Sequence, residues 1–287
     1  LAQALNPLGC LTGVLLGTAF IFSGVELSPA QVAAKQAAGT YEAYLHTETL
    51  RVVTPYLVIG CFALLWAVMI GLTKFPAVLR EREHKAEVSG DWRDLLHQRH
   101  FLLAVLSQFL YCGSQVCLWS YFIPYAREYA HTTDKLAGML LACVLVLFGI
   151  GRFASTALMR RFSPGNMMMA YGVANVALIL VGIIYPSWTG LAALLLTSFF
   201  LSVMFPTNFA MGIKDLGPNT NIGGSLIVMA IVGGAVLTPL MGLLAEAIHS
   251  TAHALIIPLL GMLYIAAYAR YMKGYDARRA AAALAVR

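Results

Sequence analysis

The sequence predicts an all-α integral membrane protein with about eight transmembrane helices. Three observations carry that reading. Hydrophobic residues make up 60% of the chain and charged residues 11%, against about 25% charged in ordinary soluble domains. The apolar residues gather into stretches of roughly 20, the length that crosses the ~30 Å hydrocarbon core of a bilayer. Basic residues are dense on every second connecting loop and sparse on the others, the pattern left by loops that stay in the cytoplasm.

The spans fall at 1–24, 52–73, 101–126, 136–159, 166–185, 190–213, 221–244 and 252–271. The first opens at Leu1 without an initiator Met, so further sequence is expected upstream. It has no basic leading segment and no small-residue cleavage pattern, which separates it from a signal peptide. Segment 25–51 reads as a polar external loop with helical composition from Pro29 to Leu50. Segment 74–100 mixes both charge signs and reads as a solvated, partly helical connection. Later connections are tight: Arg160 to Gly165 on one side, Pro186 to Gly190 on the other, and Gly217-Pro218-Asn219 before the seventh span. Such turns favour antiparallel neighbours.

Six Lys and Arg lie between Lys74 and Arg99, then Arg160, Arg161 and Lys214 follow, and five more lie from Arg270 onward. The opposite loops hold only Lys35, Arg51, Arg127 and Lys135. Both ends are therefore expected in the cytoplasm, with an even number of spans between them. The net charge of +6 needs no nucleic acid to explain it. Two spans precede the long connection and six follow, a complete repeat in several carrier folds. The expected organisation is 1–73 as the last two helices of an N-terminal bundle, 74–100 as a cytoplasmic linker, 101–271 as a C-terminal six-helix bundle and 272–287 as a cytoplasmic tail along the inner surface.

No carboxylate sits at the middle of any span, and all seven histidines lie outside span centres. Polar residues within the layer are costly and face protein or a water-filled cavity. The third span has the clearest stripe: Gln108, Tyr111, Cys112, Gln115 and Trp119 recur on one helical face. Two amides beside an aromatic ring suit a sugar, because amides pair with hydroxyls and the ring covers an apolar sugar face. The same stripe also suits helix–helix hydrogen bonding. Gln3 and Asn6 share a face of the first span, open to glue, capping or ligand contact. Phe205, Pro206 and Asn208 place a proline beside an amide in the sixth span, where the ring frees a carbonyl and bends the helix.

Arg152 is the one charge well inside a span, about 12 Å from Arg160 at 1.5 Å per residue. Its partner is open between a carbonyl, a carboxylate elsewhere and the interface reached by snorkelling, and its expected role is structural or gating, with direct substrate contact as the alternative. Gly233 and Gly234 permit close helix approach, and Pro239 is expected to bend the outer end of the seventh span. Asn175 reads as interhelical glue. The five cysteines (Cys10, Cys61, Cys112, Cys117 and Cys143) behave as small apolar residues. His249 and His253 have no third ligand, so no metal site is expected. Nucleophile-elbow, zinc-protease and phosphate-loop motifs are all absent, which argues against an enzyme. A receptor or scaffold remains the reading outside transport.

The stretch from Leu1 to Gly9 (LAQALNPLG) resembles the fifth-helix signature of the fucose permease branch of the major facilitator superfamily. Matching blocks follow in order: Thr54-Pro55-Tyr56, Leu72 to Pro76, Gly151-Arg152-Phe153, Phe205-Pro206-Thr207, Gly212 to Gly217, Ile227-Val228-Met229 with Gly233-Gly234, and Thr238-Pro239. The resemblance covers nearly the whole chain up to about Tyr271. It implies twelve helices in two bundles, alternating access, and uptake of a monosaccharide coupled to protons, with no other cofactor. On that map the chain carries helices five to twelve of a monomeric bacterial inner-membrane protein. The first four, which hold the family's functional carboxylates, would precede Leu1. The family's sugar-facing amides map onto Gln3 and Asn6. Phe205 stands where a fucose permease carries tyrosine, and Asn208 where an apolar residue is expected. Gln108, Gln115 and Trp119 complete the expected cavity. L-fucose is the implied substrate type, with glucose, galactose or N-acetylglucosamine as alternatives.

Overall fold

The computed structural model describes residues 6–20, 27, 29–73 and 92–285, and within them the regular structure is helical. The first helix described is α1 (Asn6–Phe20), and the expected external loop folds into α2 (Pro29–Ala37) and α3 (Tyr41–Leu50). Helix α4 (Val53–Leu72) buries no side chain among the described residues. A short α5 (Trp92–Leu96) precedes α6 (Arg99–Ser120), and α7 (Phe122–Ala130) follows after a break at Tyr121.

The next helices start where the sequence supplies caps. Thr133 accepts the amide of Leu136 at 3.2 Å and opens α8 (Asp134–Leu158). Ser163 accepts from Asn166, with Pro164 in the first turn, and opens α9 (Pro164–Ile184). Ser187 opens α10 (Trp188–Leu201) by accepting from Thr189 at 3.2 Å. These side-chain oxygens satisfy amides that have no partner within the helix. At the other ends, His131 and His249 stop α7 and the later α13 in the left-handed region, with φ of 51° and 50°.

The remaining spans are each assembled from more than one helical segment. α10 is followed by α11 (Met204–Gly212), and the pair bends by 40° across a two-residue break. α12 (Thr220–Met229) and α13 (Gly233–Ile248) are joined by a 3-10 turn over Ala230–Val232. α14 (Thr251–Ala254) leads into α15 (Ile256–Ala285). Among the described residues six segments are long and apolar enough to cross a membrane, or seven with the bent α10–α11 pair. The expected first span is described only as the 15 residues of α1.

Helices α6 to α15 form one bundle, with α9 against α15 and α10, α6 against α13 and α15, and α8 against α10. Tyr111, Tyr125, Met204, Met241 and Met262 fill its centre. α1 packs on α8. Close approach of α6 and α13 depends on Gly233, where an added Cβ would overlap the carbonyl of Phe109.

Three sequence expectations change in detail. The expected linker ends in structure: Leu95 is fully buried with Phe101, Leu216 and Ile227. α13 continues through Pro239, which is exposed, and a further departure from α geometry lies at Ala230–Val232. α15 runs unbroken to Ala285, past the expected span end near Tyr271, because the Ala- and Arg-rich stretch favours helix and contains no breaker.

Candidate functional site

The break between α10 and α11 organises the site. Pro206 has no amide hydrogen, so the carbonyl four residues earlier, that of Ser202, loses its helical donor. Arg152 replaces it, donating Nε to Ser202 O at 3.1 Å from α8. One residue back, Leu201 O accepts the hydroxyl of Tyr111 at 3.0 Å from α6. Gly151 makes this possible. A Cβ there would lie 2.5 Å from Phe199 O and 2.8 Å from Ser202 Oγ, so only glycine lets α8 come this close to the break.

One aromatic ring meets the guanidinium, and others pack beside that ring and beside Tyr111. Arg152 lies over Phe148 with its Cζ 5.1 Å from the ring centroid, a cation–π arrangement. Phe148 meets Trp119 edge-to-face at 5.1 Å, and Trp119 Nε1 donates to Ser198 Oγ at 3.1 Å. Phe205 meets Tyr111 edge-to-face at 6.3 Å. Gln115, Trp119, Arg152, Phe205 and Pro206 are half-buried, whereas Tyr111 and Phe148 are buried.

The structure divides the expected contact residues. Gln108 and Asn208 come together across α6 and α11, with Asn208 Nδ2 donating to Gln108 Oε1 at 2.6 Å and to Ala104 O at 3.2 Å. Gln108 also reaches Cys112 Sγ at 3.8 Å. Both amides have 0% exposure. Gln108 and the Nδ2 of Asn208 are bonded to protein across the two helices, the helix–helix geometry open to the stripe, while Asn208 Oδ1 is buried with no hydrogen-bond partner among the described residues. The rest of the stripe, Gln115 and Trp119, stays half-buried on the same face of α6. Gln3 lies outside the described residues, and of Asn6 only the backbone at the start of α1 is described.

Gly233 and Gly234 are buried where α13 meets α6, against Phe109 O and the Val116 side chain. Asn175 is fully buried in α9, and neither of its amide atoms has a hydrogen-bond partner among the described residues. No cluster of three or more potential metal ligands occurs among the described residues.

Sequence reasoning missed Phe148, Ser198 and Ser202. Two signals were present: Phe148 stands four residues before Arg152, on the same helical face, and Ser202 four before Pro206.

Residues 1–221 match the family model of the Major Facilitator Superfamily. The chain is 39% identical over 275 residues to the L-fucose-proton symporter of Escherichia coli (strain K12), covering 94% of this chain and 63% of that protein. It is 28% identical to the L-fucose-proton symporter of Haemophilus influenzae, covering 93% of this chain and 64% of that one. It is 30% identical to a putative glucose/galactose transporter of Helicobacter pylori (strain J99), covering 96% and 65%. The chain thus spans less than two thirds of the length of these curated relatives. A crystal structure of the E. coli fucose:proton symporter superposes with a TM-score of 0.67 at 36% identity, covering 94% of this chain and 67% of that one. Buried helix-break contacts, apolar spans and the family match agree: this multi-pass chain belongs to the Major Facilitator Superfamily.

Proposed function

We propose that the chain serves proton-coupled uptake of a monosaccharide by alternating access, with L-fucose as the first substrate to test. The observation that carries this reading is the 39% identity to an L-fucose-proton symporter across 94% of the chain. In this reading Gln115 pairs with sugar hydroxyls, while Trp119 and Phe205 cover apolar sugar faces, and Gln3 and Asn6 of the sequence-predicted first span are the remaining proposed contacts. The buried Gln108–Asn208 pair holds α6 and α11 in register beneath that surface. The proton is the only coupling ion, and the protein works as a monomer in a bacterial inner membrane with both ends cytoplasmic.

Arg152, Tyr111 and Pro206 make the α10–α11 break a fixed elbow rather than a loose one. Gly233 and Gly234 let α13 slide close to α6, so α10–α11 and α12–α13 are the elements proposed to move between outward- and inward-open states. Pro239, within α13, removes one helical hydrogen bond and is the proposed point of bending in the outer part of that element.

The test is uptake of labelled L-fucose by cells expressing the protein, recorded with medium pH. Accumulation accompanied by alkalinisation, and abolished by an uncoupler, is expected. Binding without accumulation would instead indicate a receptor. Phe205 lacks the hydroxyl of a tyrosine, and the 30% identity to a putative glucose/galactose transporter favours a second reading as a hexose carrier. Competition by glucose, galactose and N-acetylglucosamine separates the two.

A further inference from the structure

The outward face of α15 joins an apolar stripe to a basic one. Ile256, Leu260, Leu263 and Ala267 are exposed in steps of three and four residues, and the same line continues through Arg270, Gly274 and Arg278. The opposite face buries Leu259, Met262, Ile265, Tyr268 and Met272, toward α6 and α9. The exposed stripe therefore points away from the bundle, where lipid lies.

Helix length locates the change from apolar to basic. From Thr251, where α14 opens, to Arg270 the helical rise is about 28 Å at ~1.5 Å per residue. That nearly equals the ~30 Å of the hydrocarbon core. Gly274 and Arg278 lie roughly 6 and 12 Å further, within and at the edge of the headgroup layer. There Ala267, Arg270, Tyr271, Gly274 and Arg278 line a surface groove of about 560 Å³. Nothing approaches within 4 Å of the Cβ position at Gly274, so the groove floor is open.

Among the described residues, no carboxylate pairs with the charges in this groove. Nearby Lys214 is bound to Asp276, and Arg279 to Asp215 at 3.3 Å. Arg270 and Arg278 enter no ion pair among the described residues. Guanidinium groups bind phosphate oxygens in a two-pronged geometry, and basic groups at the membrane surface attract anionic lipid.

We propose that this groove seats the phosphate headgroup of an anionic phospholipid, whose acyl chains lie along Leu263, Leu260 and Ile256. Continuity between the apolar stripe and the two arginines selects a lipid over a soluble anion. The site is independent of which sugar is carried.

Native mass spectrometry of the detergent-purified protein, titrated with phosphatidylglycerol, tests the assignment. Arg270→Gln and Arg278→Gln should each weaken binding about fivefold, and the double variant more. Gly274→Leu, which fills the groove without changing charge, should weaken it as well. Arg160→Gln/Arg161→Gln, on the α8–α9 turn, should leave the affinity unchanged. All substituted side chains are exposed, so an unchanged melting temperature confirms folding of each variant. Wild-type affinity in the double variant overturns the proposal. So does equal binding of phosphatidylcholine, or displacement of the lipid by equimolar inorganic phosphate.

Discussion

Arg152 donates its Nε to the carbonyl oxygen of Ser202 at 3.1 Å, the carbonyl that Pro206 leaves without a helical donor. A charge deep in a span thereby takes part in fixing backbone geometry. Arg152→Met should cost about 1–3 kcal/mol through the orphaned carbonyl, seen as a lower melting temperature in detergent. Adding Pro206→Ala restores an amide donor and should recover part of that loss. An Arg152→Met protein as stable as wild type, or a double variant with no recovery, would show that the contact contributes nothing.

The amide pair Gln108–Asn208, bonded at 2.6 Å, is expected to behave as one unit. Gln108→Leu and Asn208→Leu should each destabilise by about 1–3 kcal/mol, since either leaves a buried polar partner unsatisfied. The double replacement should cost clearly less than the sum, with a coupling of ~0.5–3 kcal/mol. Additive losses in a double-mutant thermal series would contradict the strut role.

Gln115 and Asn175 should separate function from packing. Gln115 is half-buried, so Gln115→Ala should cut sugar uptake at least tenfold at equal membrane abundance with the melting temperature unchanged. That corresponds to about 1.4 kcal/mol of lost binding, the scale of a good hydrogen bond. Asn175→Leu removes two unpartnered buried atoms and should be neutral or stabilising, with uptake retained. Equal uptake losses at both positions would count against Gln115 as a contact residue.

Gly233 faces the backbone carbonyl of Phe109, and Gly9 has nothing within 4 Å of its Cβ position among the described residues. Gly233→Ala should push α13 from α6 and cost ~1–3 kcal/mol by overpacking, with transport lost. Gly9→Ala should leave the melting temperature unchanged or slightly raised, because a Cβ there meets no described neighbour and alanine favours helix. Thermal scans of the two variants, read beside uptake, provide the check.

Much of the fold was legible because the bilayer imposes a strong and local rule. A run of ~20 apolar residues must be helical to satisfy its own backbone, so spans such as 136–159 and 166–185 appear as Asp134–Leu158 and Pro164–Ile184. Caps at Thr133 and Ser163 then set their starts to within two residues. The breaks were harder. Proline at 206 announced one, but Ala230–Val232 carries no such mark, because close packing on α6, not local sequence, sets the geometry there.

By itself the sequence determined the solvent, the helical class, the broken sixth span and the family resemblance, since each follows from composition or from residues adjacent in the chain. Only the tertiary structure decided what the polar residues do. Gln108 and Gln115 lie two turns apart on one face and are indistinguishable by periodicity. One is consumed by Asn208 on α11, a hundred residues away, and the other remains half-buried. Likewise, Arg152 had three candidate partners until the fold carried Ser202 beside it. Hydrogen-bond satisfaction inside a membrane depends on which helices become neighbours, and that is a property of the assembled bundle.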